Sequence, residues 1–429
     1  MHRFRAVIAA LTLGVPFAAS AAEITRIASS FEDDDPFDLF LDVGFERTQT
    51  RAKIVREQLR DGDATNVPEV NELWYKGVDA RLNLAVAFGL WKDLEFSFKL
   101  PIVFQQNETW NFVSGTTQGN STITNSCFNA DGSPYSTTEG CVGRLFQVPQ
   151  ESYRGGLGNV HFGLAYAFFN QEKDNTKPTW IVGIDYEAPT AKQRDPSLDN
   201  TDPDGDRGNV GDRVHKYQLY TTFSRKMGVA EPYFKASHTI PVRGPGAYSN
   251  CDQSSAPAPG NLGAPYNCYR EPWTRQETGI KAPSQTALTF GMELVPFENA
   301  AKSQKFTLDL RLLGNYVGRG RYYNELSSAL RKLLTSDDYL QVGGQVGVTA
   351  RAAEAFTIRA SGNFLYNTDH LLTSESIGQD LNGDGTVDTA VGSPELNPTF
   401  DWRYDLVSRR FRAIQSTTFR FDLGATFSF

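Results

Sequence analysis

The spacing in this 429-residue chain that reads most directly as chemistry is Asp380-Leu381-Asn382-Gly383-Asp384-Gly385-Thr386-Val387-Asp388. Asp380, Asn382, Asp384 and Asp388 place side-chain oxygens at positions 1, 3, 5 and 9, with glycine at position 6, as in the first part of a calcium-binding loop. Position 12, where a bidentate glutamate completes such a loop, is Val391. The readings are an incomplete Ca²⁺ site completed by another loop residue, or a solvated Asp/Gly turn. No other cofactor is called for. A second acidic group, Asp202, Asp204 and Asp206, has looser spacing.

Catalytic patterns are sparse. Beyond the N-terminal residues the chain holds only His161, His215, His238 and His370. Asp369-His370 is the one acid–imidazole neighbour pair, but adjacent strand residues point to opposite faces, which separates them. No serine stands in a G-x-S-x-G setting and no H-E-x-x-H occurs. The expectation is not an enzyme. The four cysteines fall as two local pairs, Cys127 with Cys141 and Cys251 with Cys268. Each would close a loop of about 15 residues, for roughly 3 kcal/mol in the chain-entropy model. Four cysteines allow three connectivities, and local pairing is the simplest. Zinc is disfavoured because there is no C-x-x-C and no neighbouring histidine pair.

The elements that would position these residues begin after an address. Residues 1–22 read as a secretory leader: Arg3 and Arg5, an apolar stretch from Ala6 to Phe17, then small residues. Ala19-Ser20-Ala21 and Ser20-Ala21-Ala22 are both suitable cleavage sites. Removing the leader takes the formal charge from −8 to −10. An acidic chain without a basic patch argues against nucleic acid as partner. Residues 23–36 are expected to be a periplasmic tail, with the acidic run Glu32 to Asp35 solvated. The remainder, 37–429, reads as one domain. Outside the leader there is no 18-residue apolar run, which excludes helical membrane spans but not strands.

That domain has period two almost throughout. In its last strand Phe419, Phe421, Leu423, Ala425, Phe427 and Phe429 share one face, and Thr418, Arg420, Asp422, Gly424, Thr426 and Ser428 the other. Phe37–Phe45, Val78–Phe88 and Leu94–Phe104 alternate in the same way. Further strands are expected near 156–170, 179–189, 213–224, 231–241, 284–296, 305–317, 338–350 and 355–367, making twelve. The connections between them alternate long and short. The long ones are 51–72, 105–155, 190–212, 242–283, 318–337 and 368–415; the short ones fall at 91–93, 171–178, 225–230, 297–304 and 351–354. Aromatic residues at both strand ends would form two interfacial girdles. Trp74, Tyr75, Tyr186, Tyr217, Tyr316, Tyr339 and Tyr366 stand at one end, and Phe37, Trp91, Trp180, Phe223 and Phe429 are among those at the other. Leu326, Leu330 and Leu334 have the spacing of a short helix within a long connection.

A chain ending on phenylalanine at the close of such a strand resembles the C-terminal signature of Gram-negative outer-membrane β-barrels. The resemblance implies an all-β, transmembrane, antiparallel up-and-down barrel of about twelve strands in the cell outer membrane. It implies short periplasmic turns, long extracellular loops and contact with outer-membrane lipids. It is compatible with a monomer and with a homo-oligomer.

In such a barrel the polar faces line the lumen. Asp38, Asp42, Glu46, Asp79, Glu95, Asp185, Glu187, Glu293, Asp309 and Asp422 supply the acids. Arg81, Lys99, Lys216, Lys235, Arg311, Arg359 and Arg420 supply the bases. The expected function is a porin-like channel for passive passage of small solutes, with mild cation preference. The alternatives are a structural or surface-display barrel whose lumen is plugged by paired charges, and, third, a hydrolase at the barrel mouth. Twelve strands lie between barrels filled by side chains and barrels that leave a channel, so strand number does not decide.

Overall fold

The computed structural model describes residues 22–31, 37–58, 67–125, 144–198, 201–252, 267–353, 355–390 and 392–429. Twelve antiparallel strands close on themselves. They are β1 (Leu39–Glu57), β2 (Glu69–Trp91), β3 (Leu94–Phe112), β4 (Val160–Phe169), β5 (Thr179–Ala188) and β6 (Val214–Ser224). The second half comprises β7 (Ala230–Arg243), β8 (Gln285–Asn299), β9 (Gln304–Val317), β10 (Tyr339–Ala353), β11 (Phe356–Asn367) and β12 (Phe411–Ser428). Each pairs with its neighbours in sequence, and β12 pairs with β1 from Phe40↔Ser428 to Arg56↔Phe411. Closure removes the open edges that a flat sheet would expose. A further strand, Gln150–Leu157, continues the line of β4 upward along the outer half of β3.

The outward faces carry the apolar half of the alternation. Phe290 is 55% exposed, Leu312 70% and Phe419 51%, and similar residues recur on most strands. Apolar exposure on that scale belongs against lipid. The inward faces carry charges that are buried or half-buried. On β12, Arg420 lies 2.9 Å from Asp422 and 3.1 Å from Glu46 across the seam, bridging two carboxylates that the register sets directly opposite.

Three expectations about the strands, the loop helix and the girdle differ from the structure. The first is length: β1 runs seven residues past position 50 and β3 reaches Phe112, because their pairing continues outside the apolar belt, where alternation is lost. The second is the loop helix, which is only Ser327–Leu330. Arg331 adopts a left-handed backbone (φ 59°), and Leu334 enters a two-stranded pairing with Gly320–Tyr322. The third is the girdle: Tyr217, Tyr316 and Tyr366 do face outward, whereas Tyr75 is buried beside Trp110 and Tyr339 lines the lumen, stacked on His370.

Candidate functional site

The lumen contains a segment of the chain itself. Residues 23–36 were expected to be a periplasmic tail; of these Glu23–Ser30, together with Ala22 from the expected leader, lie against the inner wall of the barrel's lower half, where their backbone donors find side-chain acceptors. The Ala22 N–H donates to Glu231 Oε1 (2.5 Å), that of Glu23 to Glu293 Oε1 (2.8 Å), and that of Ala28 to Glu95 Oε2 (2.7 Å). Arg359 joins Glu23 to Asp42, the latter at 2.6 Å, and Arg26 lies 3.4 Å from Glu23 and 3.7 Å from Asp42. Below, Ser30 exchanges two backbone hydrogen bonds with Lys92 in the β2–β3 turn. Gly89 makes room for this seat: a Cβ there would stand 2.2 Å from the Ser29 carbonyl oxygen. These contacts form a floor.

A roof comes from the connection after β9. Leu326 and Ala329 are buried against Trp110, Tyr404 and Phe411. The Glu325 carbonyl accepts from Trp110 Nε1 at 2.7 Å. Ser328 donates to Glu108 (2.5 Å) and accepts from Arg154 (3.0 Å) and Arg194 (2.5 Å). Both guanidiniums also approach Glu108, at 3.1 and 3.6 Å. A buried carboxylate is thereby compensated by two cations and a hydroxyl, as burial demands. Farther out, Arg321 makes a forked pair with Glu375 (2.6 and 2.7 Å) and donates to the carbonyls of Glu277 and Gly279. Three loops are thus stapled at one point. Burial opposes ionisation of Glu375, but the Arg321 guanidinium overrides it and holds the carboxyl down at about 2.

Between floor and roof is a chamber of about 1110 Å³. Its middle is lined by Asp79, Lys99, Gln106, His161, Asp185 and Glu187. Of the residues expected in the lumen, Asp79 pairs with Arg81 (2.8 Å), Asp309 with Arg311 (2.6 Å) and Asp422 with Arg420. Asp42, Glu95, Glu293 and Arg359 hold the floor segment. Among the described residues Lys99 has no ion pair within 4 Å. Sequence reasoning missed Glu108, Arg154, Arg194 and Glu231. The first three lie outside regular alternation, and Glu231 stands at a strand start.

Cys251 and Cys268 are joined in a disulfide; Cys127 and Cys141, and Val391, lie outside the described residues. In the acidic loop Asp380 accepts from the N–H groups of Gly383 and Gly385, and Asp384 from Thr386. Buried Glu395, four residues beyond position 12, accepts from Leu381, Asn382 and Asp388. The described residues contain no cluster of three or more His, Cys, Asp or Glu arranged around a metal. His370 Nδ1 lies 2.8 Å from the Thr368 carbonyl, a contact that ties the ring to the backbone rather than to a nucleophile.

No family model and no curated protein matches the chain. Among solved structures it is similar to an outer membrane channel from Pseudomonas putida F1, at 10% identity over 91% of this chain and 95% of that one, TM-score 0.41. It is also similar to a Pseudomonas aeruginosa FadL homologue (8%, 92% and 90%, 0.35) and to the outer membrane protease OmpT of Escherichia coli (9%, 94% and 100%, 0.29). Likeness at this level assigns no activity. The closed twelve-strand barrel, its lipid-facing apolar belt and its charged interior make this an outer-membrane β-barrel protein.

Proposed function

We propose that the protein is a gated channel that passes small polar or charged solutes across the outer membrane. The observation that carries this reading is the chamber of about 1110 Å³, walled by ionisable side chains and bounded by two segments of the chain, the floor at 22–30 and the roof at 318–338. It is as large as a typical small-ligand cavity. An interior of paired charges suits hydrated solutes and does not suit apolar ones. Cation preference is modest in this reading, because most carboxylates have a basic partner. Reconstitution into planar bilayers tests it: the intact protein should show small or intermittent conductance, and deletion of 22–30 should produce a larger, steadier one. Silence from both, with folded protein confirmed by heat-modifiable migration, would overturn the reading. A structural barrel with a plugged lumen is the second reading, favoured by the apolar cluster around Trp110, Leu326, Tyr404 and Phe411 packed at the outer end; the same recordings separate the two.

A further inference from the structure

The floor has an electrostatic defect. Glu231 on β7, Glu293 on β8 and Asp309 on β9 stand directly opposite one another in consecutive registers. Like charges so placed repel. Asp309 has Arg311 at 2.6 Å. Among the described residues neither Glu231, 1% exposed, nor Glu293, 3% exposed, has a lysine, arginine or histidine within 4 Å. Lys305 attracts both and Lys226 attracts Glu231, but from beyond ion-pair distance; among the described residues the two buried carboxylates therefore lack a paired cation, which buried charges need. Glu231 shows the lack most directly. Its Oε1 accepts from Ala22 N (2.5 Å) and Ser224 Oγ (2.8 Å), while its Oε2 is buried with no partner. An amide nitrogen at Ala22 can donate only once; an ammonium donates three times.

We propose that Ala22 is the mature N-terminus and that its α-ammonium is the missing counter-ion of Glu231, latching the floor segment there while the Glu23 N–H holds Glu293. Leader removal then creates the ligand for this site. Hydrolysis of the amide between residues 21 and 22 by a signal peptidase breaks the C–N bond. Water's hydroxyl goes to the carbonyl carbon and its proton to the Ala22 nitrogen, which takes a second proton from solvent. Of the two cleavage sites in the sequence, this one keeps Ala22. Its carbonyl accepts from both Thr25 N (2.8 Å) and Thr25 Oγ1 (3.1 Å), and Thr25 Oγ1 lies 2.8 Å from Ser224 Oγ. Starting at Glu23 would discard that arrangement and leave Glu231 with Ser224 as its one side-chain donor among the described residues. The proposal rests on the floor seen in the lumen, and its test does not depend on conductance.

Mass spectrometry of protein purified from outer membranes should give an N-terminal peptide beginning at Ala22 with a free amine. A start at Glu23, or a blocked amine, overturns the proposal. An amine-reactive reagent at neutral pH should then label that amine about tenfold more slowly in the wild type than in Glu231→Gln, as for one decade of amine protection. Equal rates overturn it. Should Glu231→Gln fail to fold, a Gly-Ser insertion after residue 21 displaces the amine without touching the wall. Its amine should label fast, and protection as in the wild type would overturn the latch. If the latch holds and no variant conducts, the channel reading fails alone.

Discussion

Neutralising Glu375 should loosen the roof by an amount the structure sets. Its carboxyl accepts from Arg321 at two nitrogens, from Thr335 Oγ1 at 2.5 Å and from Asn397 Nδ2 at 3.0 Å. A carboxyl held at about 2 in place of 4.5 corresponds to about 3 kcal/mol favouring the ionised, closed roof. The sign follows from the depressed value: this stability is full above the ordinary glutamate range and is lost as pH falls through about 2. Glu375→Gln removes the charge at every pH and leaves Arg321 buried without its carboxylate, a loss of the same order. About 3 kcal/mol is roughly a hundredfold in the open population. Trypsin reads this directly, because Arg331 and Lys332 lie in the roof and cleavage of a transiently opened segment tracks its population. At pH 7 the variant should be cut there roughly a hundredfold faster than the wild type, while cleavage elsewhere is unchanged. Rates within about twofold would show that the Arg321–Glu375 pair does not hold the roof.

Four further outcomes are expected. Burial pushes Asp405 up to about 7 against the pull of Lys332, so its contribution is full at acid pH and lost as pH rises through about 7; Asp405→Asn should flatten the pH dependence of hydrogen exchange across 401–409 between roughly pH 4 and 8, and an unchanged slope would refute this. Gly89→Ala sets a methyl 2.2 Å from the Ser29 oxygen and should lift the floor, giving larger conductance steps; identical steps would mean that the floor does not gate. Calcium at 380–388 would have to draw Asp380 and Asp384 away from backbone donors, so calorimetry should find affinity no tighter than about 10⁻³ M, lost in Asp384→Ala; micromolar binding would refute that account. Peptide mapping without reduction should recover Cys251 with Cys268 and Cys127 with Cys141, and a crossed pair would contradict local closure.

The barrel was legible because lipid imposes a rule on every second residue. Phe419, Phe421, Leu423 and Phe427 must all face the same solvent, and the demand recurs on strand after strand. The floor was not legible. Ala22–Ser30 has no periodicity, and its acceptors lie 209 and 270 residues away at Glu231 and Glu293. The roof hides for the same reason: Ser328 and Glu108 are 220 residues apart, and a buried serine in a single helical turn has no sequence signature. The leucine spacing at 326–334 misled because its repeat is interrupted by Arg331, where the backbone turns left-handed, and only tertiary packing reveals that. Lumen charges were visible as types and positions, but their pairing depends on register, as with Arg420 reaching across the seam to Glu46.

The seam between β1 and β12 has a consequence for how the molecule is made. Cross-seam partners such as Thr50 with Thr418 and Asp42 with Thr426 are separated by 368 and 384 residues. Contacts that distant carry the largest loop-closure cost and form late. Until they form, the first and last strands each present an unpaired, partly apolar edge able to recruit another chain. A newly exported copy is therefore most vulnerable in the interval before zipping. The floor hangs from the first strand, held where the Asp38 amide donates to the Ser29 carbonyl at 3.0 Å, so the strand waiting longest for its partner also carries the stopper. Nascent chains shielded at these two edges would survive transit, and unshielded ones would pair with each other.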